Sequence, residues 1–584
     1  MQHAIGEHAL LADSRTAALI DPDGNVAWLC WPWIDSTPLF FSILDEGRGG
    51  VFSLRPARPD ARVVSRRYHP RSLVLETIWQ IGSARLIVDD ALDLADGPLL
   101  VRAVRAEGSP VAVTVALTTP SWPGTAAELR VHGRAAELAG GARVAVHAPS
   151  GWTPAANGAS CEFTLEPGTS ATVTLGGAEA PARGDAGVIS TLTEWRRTIP
   201  VLTAPEQMPG IGDLLATTAA VLVGLRRRDG GIVAAPTTSL PQWPRSARTW
   251  DYRYCWLRDS SLAALAMLRL GLIETARSLA TFIGKVVTES GPLPLVRVDG
   301  SPPPAETEML ELAGYQSARP VRIGNAAAGQ AQLDVPGEVI ELATSLAQVS
   351  ALPDELGAAV PILAGWLVQH WREPDHGIWE IRGAPARYTH SLVAAASGLD
   401  GAAALVDQRV VSADAVAWRR AAAAIAGDIG TSGGPLELRV DGGGADAALA
   451  QAALLGGLDF VAARIGPTLD LILERLDRGG LIDRHESQAD ALSDPCAPFV
   501  FPTFWLAGAL AATGRDGSPW LAAALATRGP LGLFGEVADP VERSPLGNYP
   551  QVQSHAAFVL AVIPAHRQAT THPTDRRSSG PLVL

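Results

Sequence analysis

Two rhythms of apolar spacing divide the chain. Up to about residue 195, short runs such as VVSRRY, SLVLETIWQ, ARLIVDDAL, VAVTVALTT, ARVAVHA, CEFTLEP and ATVTLGG alternate apolar and polar positions between Gly, Pro, Asp and Ser. Alternation of this kind over short runs predicts an antiparallel β-sandwich, here residues 1–197. TIPVLTAPEQMPG, around 198–210, reads as a linker. From about residue 211 the spacing becomes helical. Twelve helices are expected near 211–227, 259–271, 273–289, 337–349, 353–372, 389–405, 412–427, 444–455, 466–476, 500–513, 518–527 and 553–565.

The connections alternate in length. Those leaving an odd-numbered helix run roughly 15 to 47 residues and those leaving an even-numbered one roughly 1 to 10, against a usual median of about 4–6. Consecutive antiparallel helices place alternate loops at opposite ends, so all the long loops crowd one end. Six such hairpins can close into a double ring. The expected fold class is therefore multidomain β + all-α: an N-terminal antiparallel β-sandwich followed by an (α/α)6 barrel over 211–567. The tail, 568–584, reads as disordered. Long loops on a rigid scaffold are where function usually sits.

Composition narrows the classes. The chain has 584 residues, 18% of them charged, and a formal net charge of -13. A net-acidic chain without a basic stripe argues against nucleic acid or an anionic membrane as a partner. The four cysteines, Cys30, Cys161, Cys255 and Cys496, form no CxxC pair, so neither a zinc ribbon nor a disulfide framework is suggested. The N-terminal stretch has no basic n-region with an apolar h-region, and no apolar run is long enough for a bilayer. A cytoplasmic location is the default expectation.

The long loops carry the chemistry. In TWDYRYCWLRDSSLAALAMLRLG, residues 249–271, Trp250, Tyr252, Tyr254 and Trp256 alternate as in an extended segment presenting one face, and Arg258 and Asp259 end it. One reading is an N-cap by Asp259 over an aromatic core. The other is a carbohydrate subsite, since a sugar offers apolar C–H faces to rings and hydroxyls to an Arg–Asp pair. In HGIWEIRG, residues 376–383, Glu380 stands among Ile378, Trp379 and Ile381. Apolar surroundings disfavour an anion, so Glu380 reads either as a proton donor or as a carboxylate paired with Arg382. LFGEVADP, residues 533–540, places Glu536, with Asp539 nearby, on the same end of the barrel. Two carboxylates in an aromatic pocket are the apparatus for cleaving a glycosidic bond.

Other loops add hydrogen-bonding groups. GYQSARPVRIGNAAAGQAQLD, residues 314–334, brings Arg319 and Arg322 around Pro320, with Asn325, Gln330 and Gln332. LIDRHESQADALSDPC brings Arg484, His485 and Glu486; HES is not HExxH, so no metal site is read there. GGGADAALA, residues 442–450, lacks the Lys-Ser/Thr of a phosphate loop and reads as a turn.

The sequence resembles glycoside hydrolase family 15, the glucoamylase, glucodextranase and bacterial trehalase family, over nearly its whole length. IGEHALLADSRTAALIDPDGNVAWLCWPWIDS is similar to the family's N-terminal segment. WDYRYCWLRD, RPVRIGNAA, GIWEIRG and GEVADP followed by LGNYPQ are similar to its barrel motifs, in order. The resemblance implies a β-sandwich on a catalytic (α/α)6 barrel and inversion at the anomeric carbon, with no metal or organic cofactor. By motif position Glu380 matches the general acid and Glu536 the general base. Arg258 and Asp259 match residues holding the non-reducing-end glucose, with Tyr252, Trp256 and Trp379 lining that subsite and Arg319 and Arg484 matching further contacts. Departures cluster around the substrate: GEV where SEE is familiar, Gly329 for Asp, Pro336 for Tyr, Leu392 for Lys, and WPW at 31–33 for LPR.

The expected function is an inverting, exo-acting α-glucoside hydrolase of glucoamylase type, releasing glucose from α-glucans or α-gluco-oligosaccharides. Three alternatives stand beside it: a trehalase, a non-hydrolytic sugar-binding protein, and an acid-catalysed enzyme acting on a non-glucan such as an isoprenoid.

Overall fold

The computed structural model describes residues 2–563, apart from 95–96, 126, 141–142, 178–185, 203, 206–207, 431–432, 455–460 and 487–493. The tail expected to be disordered, 568–584, falls outside the described residues.

The first part of the chain is antiparallel β-structure. An eight-stranded sheet, built from strands between Arg62 and Gly177, packs on a four-stranded sheet made of Val51–Pro56, Val111–Thr118, Thr153–Ala155 and Gly158–Leu165. Val111–Thr118 turns its odd-numbered residues into the core between the sheets, as its alternation predicts. A separate meander of Ala9–Ala12, Ala17–Ile20, Val26–Cys30 and Pro38–Phe40 is buried throughout. One set of its side chains, including Ala9, Leu11, Ala18 and Ile20, joins the sandwich core. Leu10, Ala12, Ala17, Leu19 and Trp28 join the core of the helical part. Burial on both faces explains why these strands read as continuous apolar runs.

The β rhythm ends earlier than the sequence suggested. Residues Ala186–Thr198 form a helix, α1, rather than the last of the sandwich. Val188, Leu192, Trp195 and Ile199 recur at helical spacing, and Trp195 is buried against the helical domain.

Among the described residues eleven α-helices follow: α2 Gly212–Gly224, α3 Leu257–Arg269, α4 Ile273–Ser290, α5 Asp334–Ala347, α6 Asp354–His370, α7 Thr389–Asp407, α8 Val416–Ile429, α9 Ala462–Leu476, α10 Val500–Ala512, α11 Ser518–Ala526 and α12 Val552–Val562. Where an α-helix was expected at 444–455, a 3-10 helix runs from Ala447 to Ala453. In the inner ring α3 packs on α5, α5 on α7, α7 on the 3-10 helix, that helix on α10, α10 on α12 and α12 back on α3. Helices α2, α4, α6, α8, α9 and α11 lie outside, each paired with an inner neighbour. This closed double ring is the expected (α/α)6 barrel. Each inner element is entered from a long loop, so its amino end faces the loop-bearing end of the barrel. No helix among the described residues is long and apolar enough to cross a membrane.

Inner helices approach closely where glycine permits. A Cβ built on Gly337 of α5 would stand 2.2 Å from the Ala394 carbonyl oxygen of α7, whereas one on Gly357 of α6 meets nothing. Gly337→Ala is expected to destabilise the protein by about 1–3 kcal/mol through overpacking against backbone. Gly357→Ala should stabilise it by up to about 1 kcal/mol through helix propensity. Denaturant midpoints of the two variants give the comparison; equal shifts would contradict it.

Candidate active site

The pocket opens at the loop-bearing end of the barrel. It encloses about 760 Å³ out to its mouth and draws its walls from the first, second, third, fifth and sixth long loops and the amino ends of inner helices.

The first loop supplies the bridge between the two acids. Tyr252 donates its hydroxyl to Glu536 Oε1 at 2.5 Å, and Trp256 donates Nε1–H to Glu380 Oε1 at 2.5 Å. The two rings meet edge to face with centroids 5.6 Å apart. Glu380 and Glu536 thus share one pocket, each held by one member of an aromatic pair, with no hydrogen bond between them. Trp250 also lines the pocket. The single aromatic face read from 250, 252, 254 and 256 does not hold for Tyr254. The chain bends there, and the Tyr254 hydroxyl turns back to Asp251 at 3.1 Å.

Glu380 sits in a tight turn, with φ of 55° and its backbone N–H on the Gly377 carbonyl. Left-handed backbone at a non-glycine residue is uncommon and concentrates at functional sites. Buried Asp375 secures this turn: its Oδ2 accepts from the N–H groups of Leu333 and Gly377 and the Ser391 hydroxyl. The apolar cover inferred from Ile378, Trp379 and Ile381 is not what the Glu380 carboxylate meets. Its Oε1 faces donors: Trp256, Gln332 Nε2 at 3.0 Å and Arg258 Nη2 at 3.5 Å. Arg382 is no partner of Glu380; it pairs with Glu306 at 2.7 Å and stacks on Trp250.

Arg258 is buried and reaches Gln332 Oε1 at 2.9 Å and Asp334 at 3.2 Å as well. Asp259 lies in the first turn of α3 and is not its cap; its Oδ1 makes no hydrogen bond among the described residues. Burial pushes its carboxyl up to about 6, against the opposing pull of Arg258. Trp379 is anchored by Asp446, whose Oδ1 accepts from the indole at 2.7 Å and from Ala448 N–H at 2.9 Å, capping the 3-10 helix. Trp379 also stacks on Phe501. Arg484 lines the pocket with its guanidinium over Phe499. Arg319 lies elsewhere: it is exposed and donates to the Ala313 carbonyl at 3.2 Å. Its neighbour Arg322 does face the loops, bracing Thr249 through both backbone and hydroxyl.

Glu536 is 2% exposed. Tyr252 and Gln242 occupy its Oε1, the latter at 2.9 Å, while Oε2 has no partner among the described residues. Burial raises its carboxyl to about 7; the two hydrogen bonds and Arg484 oppose that rise. Asp539 points into its own turn, accepting from Val541 and Glu542 N–H. Sequence reasoning missed Gln242, Arg248, Phe499, Phe501, Gln551 and Gln553, all in the pocket wall. Gln551 closes the LGNYPQ motif, a signal that could have found it; the others carry no local signal, being ordinary residues of loops and helix starts. Outside the pocket, His69, Glu76 and Asp89 cluster on the β-domain, where Arg67 and Arg105 already engage the acids.

Two carboxylates in one aromatic-walled pocket of a helical double ring are parts that cleaving a glycosidic bond requires. The sequence model of glycosyl hydrolases family 15 matches residues 222–527, and a trehalase-like N-terminal model matches 1–145. The chain belongs to glycosyl hydrolases family 15. The matched stretch includes Glu380 and ends before Glu536. A trehalase of Mycobacterium tuberculosis is 33% identical over 577 residues, covering 88% of this chain and 82% of that protein. Trehalase 1 of Sulfolobus acidocaldarius is 28% identical, covering 86% and 88%. A bacterial glucoamylase complexed with acarbose shares the fold, with a TM-score of 0.67 at 15% identity over 96% of this chain and 94% of that one.

Asp446→Ala removes both the indole anchor and a helix cap. Stability should fall by about 1 kcal/mol, and kcat/KM should fall with it, while Asp446→Asn keeps the accepting oxygen and most of both. Chemical denaturation beside steady-state kinetics checks this.

Proposed function

We propose that the protein is a trehalase that hydrolyses α,α-trehalose with inversion, Glu380 acting as general acid and Glu536 as general base. The observation that carries this reading is likeness to trehalases across both domains, including the N-terminal one. It moves the expected substrate away from α-glucans. Likeness to the glucoamylase speaks for the fold alone.

The geometry supports the chemistry. A glucosyl ring fits against Trp256 and Trp379, with Arg258 and Asp259 on its hydroxyls. Glu380 gives its proton to the bridging oxygen as the C–O bond breaks. A water on the other face of the ring gives its proton to Glu536 Oε2, the unoccupied oxygen, as its own oxygen bonds to the anomeric carbon. Tyr252 and Gln242 fix the other oxygen of that base.

The products make a stringent check. Attack with inversion turns one ring into β-glucose, while the departing ring keeps its α-configured oxygen. Early NMR spectra should show the two anomers in equal amounts. Trehalose should be cleaved in preference to maltose, isomaltose and dextran; release of glucose from maltose or dextran without trehalose cleavage would refute the assignment. Glu380→Gln and Glu536→Gln should each abolish turnover while leaving sugar binding.

The pH profile follows from the base. Glu536 must be ionised to accept a proton, so kcat/KM should fall as pH drops through about 7. Tyr252→Phe removes a hydrogen bond that stabilises the carboxylate, so the acid limb should move to higher pH. A limb that stays put or moves down would assign it to another group.

A further inference from the structure

Two glutamines stand at the amino end of α12: Gln551 as its N-cap and Gln553 in its first turn. Both line the catalytic pocket, and Gln553 is 5% exposed. The oxygen and nitrogen of an amide are alike in shape, so their orientation must be read from partners. A backbone N–H can only donate. That of Ser554 meets one amide atom of Gln551 at 2.7 Å, which makes that atom the oxygen. The Ser554 hydroxyl lies between the same oxygen, at 2.6 Å, and the Gly535 carbonyl, at 2.8 Å, with one proton for the two. Gln551 therefore turns its NH2 toward Gln553, at 3.5 Å, and needs an acceptor there. Gln553 answers with its carbonyl, which leaves its own NH2 turned away.

That nitrogen has no hydrogen-bond partner among the described residues. A buried donor left unsatisfied is destabilising, a cost that an apolar side chain of similar volume would avoid. Three further pocket atoms make no hydrogen bond among the described residues: Arg258 Nε and Asp259 Oδ1, which face each other as an ion pair at 3.3 Å, and Glu536 Oε2. Glu536 is occupied by the water in the mechanism above. Asp259 and Gln553 rise from the amino ends of α3 and α12, which pack directly together. A sugar hydroxyl both donates and accepts, so adjacent hydroxyls on a pyranose ring are matched by an acceptor and a donor side by side.

We propose that Gln553 is a specificity-determining residue: its Nε2–H donates to one hydroxyl of the glucosyl ring in the catalytic pocket, next to the hydroxyl held by Asp259. The inference rests on the glucoside-hydrolase reading and deepens it.

The test uses the full-length enzyme, Gln553→Met, and trehaloses lacking the hydroxyl at C2, C3, C4 or C6 of both rings. Turnover of trehalose by the unaltered enzyme is measured first and tests the substrate reading separately. If maltose is the substrate instead, the same comparison uses deoxy-maltoses. The Met variant should lose about tenfold in kcat/KM on the parent sugar, the worth of one neutral hydrogen bond. On one deoxy analogue the two enzymes should be equal, because neither can make the bond; that equality also reports an intact fold. Equal losses on all four analogues, including complete inactivity, would overturn the proposal and place Gln553 on the attacking water or in the scaffold. No loss on the parent sugar would overturn it as well.

Discussion

The inner ring closes only with its elements running the same way, and that leaves their amino ends gathered around one pocket. The first backbone N–H groups of a helix lack intrahelical partners and carry partial positive charge. Acids collect there accordingly: Asp259 in α3, Asp334 in α5 and Asp446 capping the 3-10 helix. Glu536 hangs on the same framework, its carbonyl accepting from Val500 N–H at the start of α10. Burial works against this pull. For Asp259 and Glu536 it prevails, and both carboxyls rise toward neutrality. The site can therefore hold protons in the range where a base must gain and lose them.

Long loops on such a ring need bracing, and the β-domain provides part of it. Trp28 donates its indole N–H to the Pro236 carbonyl at 2.7 Å, and Arg253 reaches the Ser36 carbonyl at 2.7 Å. Both contacts grip the loop that carries Tyr252 and Trp256. Tyr549, just before α12, donates to the Gly6 carbonyl. The meander of strands 9–40 is thus shared between two cores and presses on the elements that hold both acids. The N-terminal domain braces the loops of the site from behind, and no side chain of it among the described residues lines the pocket.

Much of this was legible in the chain because helical periodicity and loop length are local properties. The alternation of long and short connections implied a ring with one busy end, and the motif around Trp256–Asp259 marked its first wall. Local patterns misled where tertiary contacts decide. Residues 186–198 read as the last of the sandwich although Val188, Leu192 and Trp195 follow a helical period. Glu380 looked apolar from its sequence neighbours, yet donors from residues 256, 258 and 332 surround its carboxylate. Arg319 resembled a ligand contact, but its side chain turns to the Ala313 carbonyl, while Arg322 braces the loop.

Spacing and motifs within a few dozen residues were enough for the two-part architecture, the end of the barrel where the long loops gather, and the two glutamates that share its pocket. What each acid touches came from the folded chain. Gln242 meets Glu536 across 294 positions and Tyr252 meets it across 284. The amide nitrogen of Gln553 is left without a hydrogen bond among the described residues by contacts that no one-dimensional pattern records. Hydrogen bonds at such separations follow from how helices close a ring, and that closure is a property of the whole chain.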